Sequence, residues 1–100
     1  MKVILVKKTE NELRFEVQGE SHTLLNLLQK TLLKNSAVEL AGYTIPHRLV
    51  GSAVFYVKTN GEEKPVQSIL KASKEIMAEA EGFRKVFENA VKEYEKSHPT

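Results

Sequence analysis

Residues 21–34 read Ser-His-Thr-Leu-Leu-Asn-Leu-Leu-Gln-Lys-Thr-Leu-Leu-Lys, and residues 38–47 continue Val-Glu-Leu-Ala-Gly-Tyr-Thr-Ile-Pro-His. At the helical period, Leu24, Leu25, Leu27, Leu28, Thr31 and Leu32 fill an arc of roughly 160°, wider than the apolar stripe a surface helix usually buries. Asn26, Gln29, Lys30 and Lys34 occupy the rest of the circumference, with Leu33 alone among them. A one-sided helix with so broad an apolar face fits burial against two things, which we read as its own sheet and a partner protein. Ser21 stands where a side-chain oxygen accepts from a free amide of the first turn, so the helix is expected from His22 to about Lys34.

Upstream, Val3, Ile4, Leu5 and Val6 form an apolar run between lysines, and Thr9 to Glu12 reads as a polar turn. Leu13, Phe15 and Val17 alternate with Arg14, Glu16 and Gln18, the period-2 pattern of a strand with one dry and one wet face. The two strands should form a hairpin that Gly19 ends. Downstream, Ala37 to Tyr43 is extended, with a bulge or close approach expected at Gly42. Gly51 opens a strand in which Ala53, Phe55 and Val57 alternate with Val54, Tyr56 and Lys58, and Asn60-Gly61 closes it.

Pro65 suits the first turn of a helix, and no proline follows before Pro99. Val66, Ser73, Ala80, Phe87 and Tyr94 recur every seven residues, as do Ile69, Ile76, Phe83 and Ala90, with Leu70, Met77 and Val91 beside them. The register predicts one long helix from Pro65 to Tyr94, with Glu81 to Lys85 and Glu88 to Lys92 paired on its outer surface. Gly82 marks a bend. About 30 residues at ~1.5 Å each make a rod of ~45 Å, against a radius of gyration near ~13 Å for a domain of this size. Such a rod overhangs and exposes Phe83, Phe87, Val91 and Tyr94 unless another chain covers them.

The 100 residues make a single domain, with 15 basic and 13 acidic side chains mixed along the chain and no like-charge block. This balance does not by itself call for nucleic acid. The absence of cysteine excludes disulfides, thiolate metal sites and cysteine nucleophiles, and fits the cytoplasm. Residues 2–8 are too short for a membrane span. The three histidines stand far apart, so no metal site and no cofactor is expected. The five glycines are scattered singly and build no phosphate loop. Ser21 next to His22 is not a nucleophile and base, because neighbours in sequence rarely present themselves to each other. His22 bonds within its own turn and His47 fixes a loop in this reading. Tyr43, Phe55 and Tyr56 are aromatic, but no basic cluster surrounds them as a base-stacking surface requires. No catalytic residues are expected.

His22-Thr23-Leu24-x-Asn26-x-Leu28, followed by Gly42-Tyr43 and Pro46-His47, resembles the family of subunit L of archaeal DNA-dependent RNA polymerase, related to the eleventh eukaryotic subunit and the bacterial alpha amino-terminal domain. The resemblance covers nearly the whole chain, and the element order is that family's. It implies a non-catalytic assembly subunit that pairs with the larger, alpha-like D subunit of the RNA polymerase through the helix at Ser21 to Lys34 and through the carboxyl-terminal helix. That heterodimer, joined by small zinc-binding subunits, then receives the two large catalytic subunits. Ser21 stands where the family usually has Asp, Leu25 where it has Gly, and Arg48 where it has Pro after the histidine.

The expected architecture is α+β and two-layered, ββαββα, with a four-stranded mostly antiparallel sheet, one short helix and one long carboxyl-terminal helix. The expected partner interface comprises Leu24, Leu27, Leu28, Thr31 and Leu32 with Phe83, Phe87, Val91 and Tyr94. No direct nucleic-acid contact is expected. The alternative is a freestanding homodimeric nucleic-acid-binding domain whose long helices pair with each other.

Overall fold

The structure is a computed structural model that describes residues 2–19, 22–45, 51–76 and 81–98. Strands β1 (Lys2–Lys8), β2 (Glu12–Gln18), β3 (Val38–Thr44) and β4 (Ser52–Thr59) form one sheet in the order β1-β2-β4-β3, every neighbouring pair antiparallel. Helix α1 (His22–Leu33) lies between β2 and β3 in the chain, and α2 (Pro65–Glu75) and α3 (Glu81–Ser97) follow β4. The α+β class and the four-stranded antiparallel sheet are as the alternation of apolar residues predicts.

The period-2 pattern decides which face is dry. Leu13, Phe15 and Val17 of β2 stand opposite Val57, Phe55 and Ala53 of β4, and all six are buried. Leu24, Leu25, Leu28 and Leu32 of α1, Ile69 and Ala72 of α2, and Phe83, Phe87 and Ala90 of α3 complete the same core. Phe15 is its centre, with ring centroids 5.3 Å from Phe55, 6.2 Å from Phe83 and 5.2 Å from Phe87.

The turns use the chemistry expected of their residues. Glu12 N–H donates to Thr9 Oγ1 at 3.0 Å, and Glu62 N–H to Asn60 Oδ1 at 2.9 Å. Gly19 and Gly51 both have positive φ, 77° and 81°, and Gly19 N–H donates to the Gly51 carbonyl at 2.9 Å. A side chain at either position would be strained. The bulge in β3 falls between Val38 and Leu40 rather than at Gly42, so those residues pair with the successive Thr59 and Lys58. The extra residue flips the pleat, and Val38 is buried while Leu40 is 53% exposed. Nor is Gly42 a close approach: a Cβ there would lie 3.6 Å from Gln29 Nε2, an ordinary contact.

The single long helix is the main correction. The segment is two helices, α2 and α3, and Ile76 closes α2 at φ −79° and ψ −6°. The longest extent of the molecule is 34 Å, too short for a ~45 Å rod. The energetic reason is visible in the core. Interrupting a helix forfeits about four backbone bonds worth ~1 kcal/mol each. Folding α3 back buries Phe83 and Phe87 completely, at ~1.5–3 kcal/mol each, and adds Ala90 with the partly buried Val86, Val91 and Tyr94. Packing therefore offsets the broken helix, and the stripe expected to overhang lies against the chain's own sheet. On the outer surface Glu88 faces Arg84 at 3.7 Å, not Lys92. The Glu81 side chain lies outside the described residues.

Gly82 sits exposed in the first turn of α3, where an added Cβ meets nothing within 4 Å. Gly82→Ala is expected to stabilise the fold by about 0.5–1 kcal/mol, because alanine loses less backbone entropy on folding. A thermal melt that moves downward would show that this turn needs glycine.

Candidate partner-docking surface

Helix α1 has two sides with different work. Leu24, Leu25, Leu28 and Leu32 point into the core, none more than 5% exposed. Thr23, Asn26, Leu27, Lys30, Leu33 and Lys34 are exposed, and Thr31 is half-buried. The 160° arc of the sequence is thus divided: most of it is core, and Leu27, at 40% exposure, is its outward edge. Thr31 lies one turn beyond Leu27 and its hydroxyl donates back to the Leu27 carbonyl at 2.7 Å. Leu33 adds a second exposed apolar side chain on the same helix. Gln29 Nε2 donates to the Ala41 carbonyl at 3.2 Å, tying α1 to β3.

A groove of about 230 Å³ separates the end of α1 from α2, lined by Thr31, Leu32, Lys34 and Asn35 on one side and Ser68, Lys71, Ala72 and Glu75 on the other. Glu63 ties the turn after α1 to α2. Its Oε1 accepts from Asn35 Nδ2 at 2.8 Å and Ser68 Oγ at 2.6 Å, and its Oε2 faces Lys71 Nζ at 2.7 Å. Asn35 in turn accepts from Ala37 N–H at 2.9 Å. The Lys71 ammonium, followed by the Ser68 hydroxyl, holds the Glu63 carboxyl below its ordinary pKa. No sequence pattern announces this cluster, whose members are brought together by the packing of α2 beside the α1–β3 turn.

The sign of that shift makes a prediction. A carboxyl with a lowered folded pKa contributes stability above its ordinary value and loses it as pH falls through the folded value. Glu63→Gln should cost about 1 kcal/mol at neutral pH, where the charged bond to Lys71 is lost. The difference from wild type should narrow as pH falls below the ordinary carboxylate range and the carboxyl protonates. Urea unfolding at neutral pH and through the acid range reads this, and a gap that persists once the carboxyl is protonated would mean that shape rather than charge matters at this position.

The other expected interface residues fall in two groups. Phe83 and Phe87 have no exposed surface in this structure, whereas Val91 and Tyr94 are half-buried against the core from α3. Tyr94 stacks on His98 at 4.0 Å. Of the family motif, Thr23 and Asn26 are exposed on α1, Leu24 and Leu28 are core, and Tyr43 stacks on Phe55 at 6.0 Å. His22 opens α1, and Ser21, Pro46, His47 and Arg48 lie outside the described residues.

The open face of the sheet carries a second polar cluster that no sequence pattern announces. Tyr56 Oη donates to Glu12 Oε1 at 3.1 Å, Lys7 Nζ lies 2.7 Å from Glu12 Oε2, and the Arg14 guanidinium stands 5.5 Å from the Tyr56 ring centre. The Lys7 bond, then the Tyr56 hydroxyl, lowers the Glu12 pKa. The groups satisfy one another, as a solvated cross-strand network does. Among the described residues no three His, Cys, Asp or Glu side chains come together as a metal site would require, and no helix is long and apolar enough to cross a membrane.

Comparison with known proteins agrees with this fold. The chain is 39% identical over 94 residues to DNA-directed RNA polymerase subunit Rpo11 of Pyrococcus furiosus, covering 92% of this chain and 99% of that one. It is 37% identical over 87 residues to the Rpo11 subunit of Methanocella arvoryzae, covering 87% and 94%. The crystal structure of DNA-directed RNA polymerase subunit L from Thermoplasma acidophilum superposes with a TM-score of 0.68 at 25% identity, over 99% of this chain and 97% of that one. Residues 12–86, from β2 into α3, match the RNA polymerase Rpb3/Rpb11 dimerisation domain, and it is to this family that the chain belongs.

Proposed function

We propose that this chain is an Rpo11-type assembly subunit of a DNA-directed RNA polymerase, without catalytic residues of its own, acting in the cytoplasm. It pairs with the larger alpha-like subunit, and the pair, joined by the small zinc-binding subunits, is the platform for the two large catalytic subunits. The observation that carries the reading is the dimerisation-domain match over residues 12–86, which spans all of α1 and α2.

The interface expected from the residues alone comprises Leu24, Leu27, Leu28, Thr31 and Leu32 with Phe83, Phe87, Val91 and Tyr94. The burial pattern supports a division of labour among them. Leu27 and Thr31 meet the partner directly, and Leu24, Leu28 and Leu32 hold α1 in place from behind. Val91 and Tyr94 offer a second contact on α3, braced by Phe83 and Phe87. Apolar side chains at the centre of a patch with polar neighbours are the usual arrangement of an interface that excludes water.

Light scattering of the chain alone, and after co-expression with the alpha-like subunit, tests this reading. A one-to-one complex that persists at high salt is the expected result. A chain that stays a homodimer and ignores the alpha-like subunit would sink it, and would turn attention to nucleic acid.

A further inference from the structure

The two helical surfaces of this protein differ in charge. From Ser21 to Val38 the sequence contains no carboxylate, and α1 exposes Lys30, with Lys34 immediately after it, around Leu27 and Leu33. Across the groove, α2 exposes Lys71 and Lys74 together with one carboxylate, Glu75. Lys71 is paired to Glu63, but among the described residues no carboxylate lies within ion-pair distance of Lys30, Lys34 or Lys74. Helix α3 is the contrast: its exposed Lys85, Glu88, Lys92, Glu93, Glu95 and Lys96 mix the two signs, as an ordinary solvated helix face does.

We propose that the α1–α2 surface docks a helical protein surface whose rim carries carboxylates, with Leu27 and Leu33 as the apolar contacts and Lys30, Lys34 and Lys74 as the cations that meet that rim. This rests on the heterodimer reading above and adds the chemistry of the partner. Two exposed leucines on the outer face of α1 call for an apolar counterpart, which favours protein over a phosphate backbone. Unpaired lysines around them select a partner of opposite charge and reject surfaces of their own sign. Because the lysines are exposed, they act chiefly on the encounter: they raise the association rate at low salt, while the leucines govern how long the complex lasts.

The test compares the rates at which the wild-type chain and two triple variants associate with the alpha-like subunit and dissociate from it, at low and high salt. Lys30→Glu/Lys34→Glu/Lys74→Glu should slow association about tenfold or more at low salt, change dissociation far less, and approach wild type at high salt as the charges are screened. Lys2→Glu/Lys85→Glu/Lys96→Glu makes the same change in net charge elsewhere on the surface and should be much closer to wild type. Circular dichroism of both variants must match wild type. Equal slowing by the two triples would overturn the proposal, leaving only a net-charge effect, and so would no slowing by either, with the heterodimer still standing. Failure of the wild-type chain to bind the alpha-like subunit at all would instead remove the heterodimer reading. Salt-sensitive binding of wild type to duplex DNA or RNA, abolished by the first triple, would overturn the protein partner in favour of nucleic acid.

Discussion

A Phe15→Ala variant is expected to lose about 3–5 kcal/mol of folding stability, the largest effect of any single truncation considered for this chain. Phe15 is fully buried, in the centre of β2, and its ring is within 6.2 Å of three others contributed by β4 and α3. Its removal takes away the transfer energy of a phenyl ring and leaves a hole that a sheet on one side and a helix on the other are poorly placed to close. It also removes the surface against which α3 folds back. Denaturant unfolding followed by helix content should therefore show both a lower midpoint and a loss of helical signal before the main transition, as α3 detaches. A loss of less than about 1.5 kcal/mol, with one sharp transition, would mean that α3 is held by contacts other than this aromatic cluster.

Leu27→Asp is expected to weaken pairing with the alpha-like subunit by about 2–4 kcal/mol, some thirtyfold to a thousandfold, while costing the isolated fold only about 1–1.5 kcal/mol. Leu27 is 40% exposed, so a carboxylate there stays hydrated in the free chain and is desolvated only when a partner covers it. Leu28→Asp, one residue along, is the instructive contrast. Leu28 has no exposed surface, and a charge in that position should unfold the protein whether or not it has a partner. Measured together by chemical unfolding and by titration with the alpha-like subunit, the two variants separate the core side of α1 from its docking side. Normal affinity in a folded Leu27→Asp chain would remove the outer face of α1 from the interface.

Much of this molecule is legible in the residues themselves. Strand alternation is a local property, since a sheet with one dry face obliges every second residue to be apolar. Leu13, Phe15 and Val17, and Ala53, Phe55 and Val57, therefore identify β2, β4 and their buried side without reference to anything distant. The apolar positions of the carboxyl-terminal region are legible for the same reason: Ile69, Ile76, Phe83, Phe87 and Ala90, read as one heptad stripe, are all core. The motif from His22 to Leu28, with Gly42-Tyr43, points to the family without reference to the fold.

Tertiary structure decided what those faces pack against. Periodicity reports that a helix has an apolar side, and it is silent on whether that side meets its own sheet or another chain, because a buried phenylalanine looks the same in sequence in either case. Only the position of the Phe15 ring shows why the stripe breaks after Ile76 and returns as α3, since burial of Phe83 and Phe87 outweighs a few backbone hydrogen bonds. The same holds within α1, where a broad apolar arc became four core leucines and one exposed edge at Leu27. The Glu63 cluster is tertiary throughout, because a carboxylate, an asparagine and a serine become partners only when the turn after α1 is laid beside α2. Sequence by itself determined the elements, their dry faces and the family, which are set by near neighbours along the chain. Which surface is left free for a partner depends on contacts between residues far apart, and only the folded chain decides it.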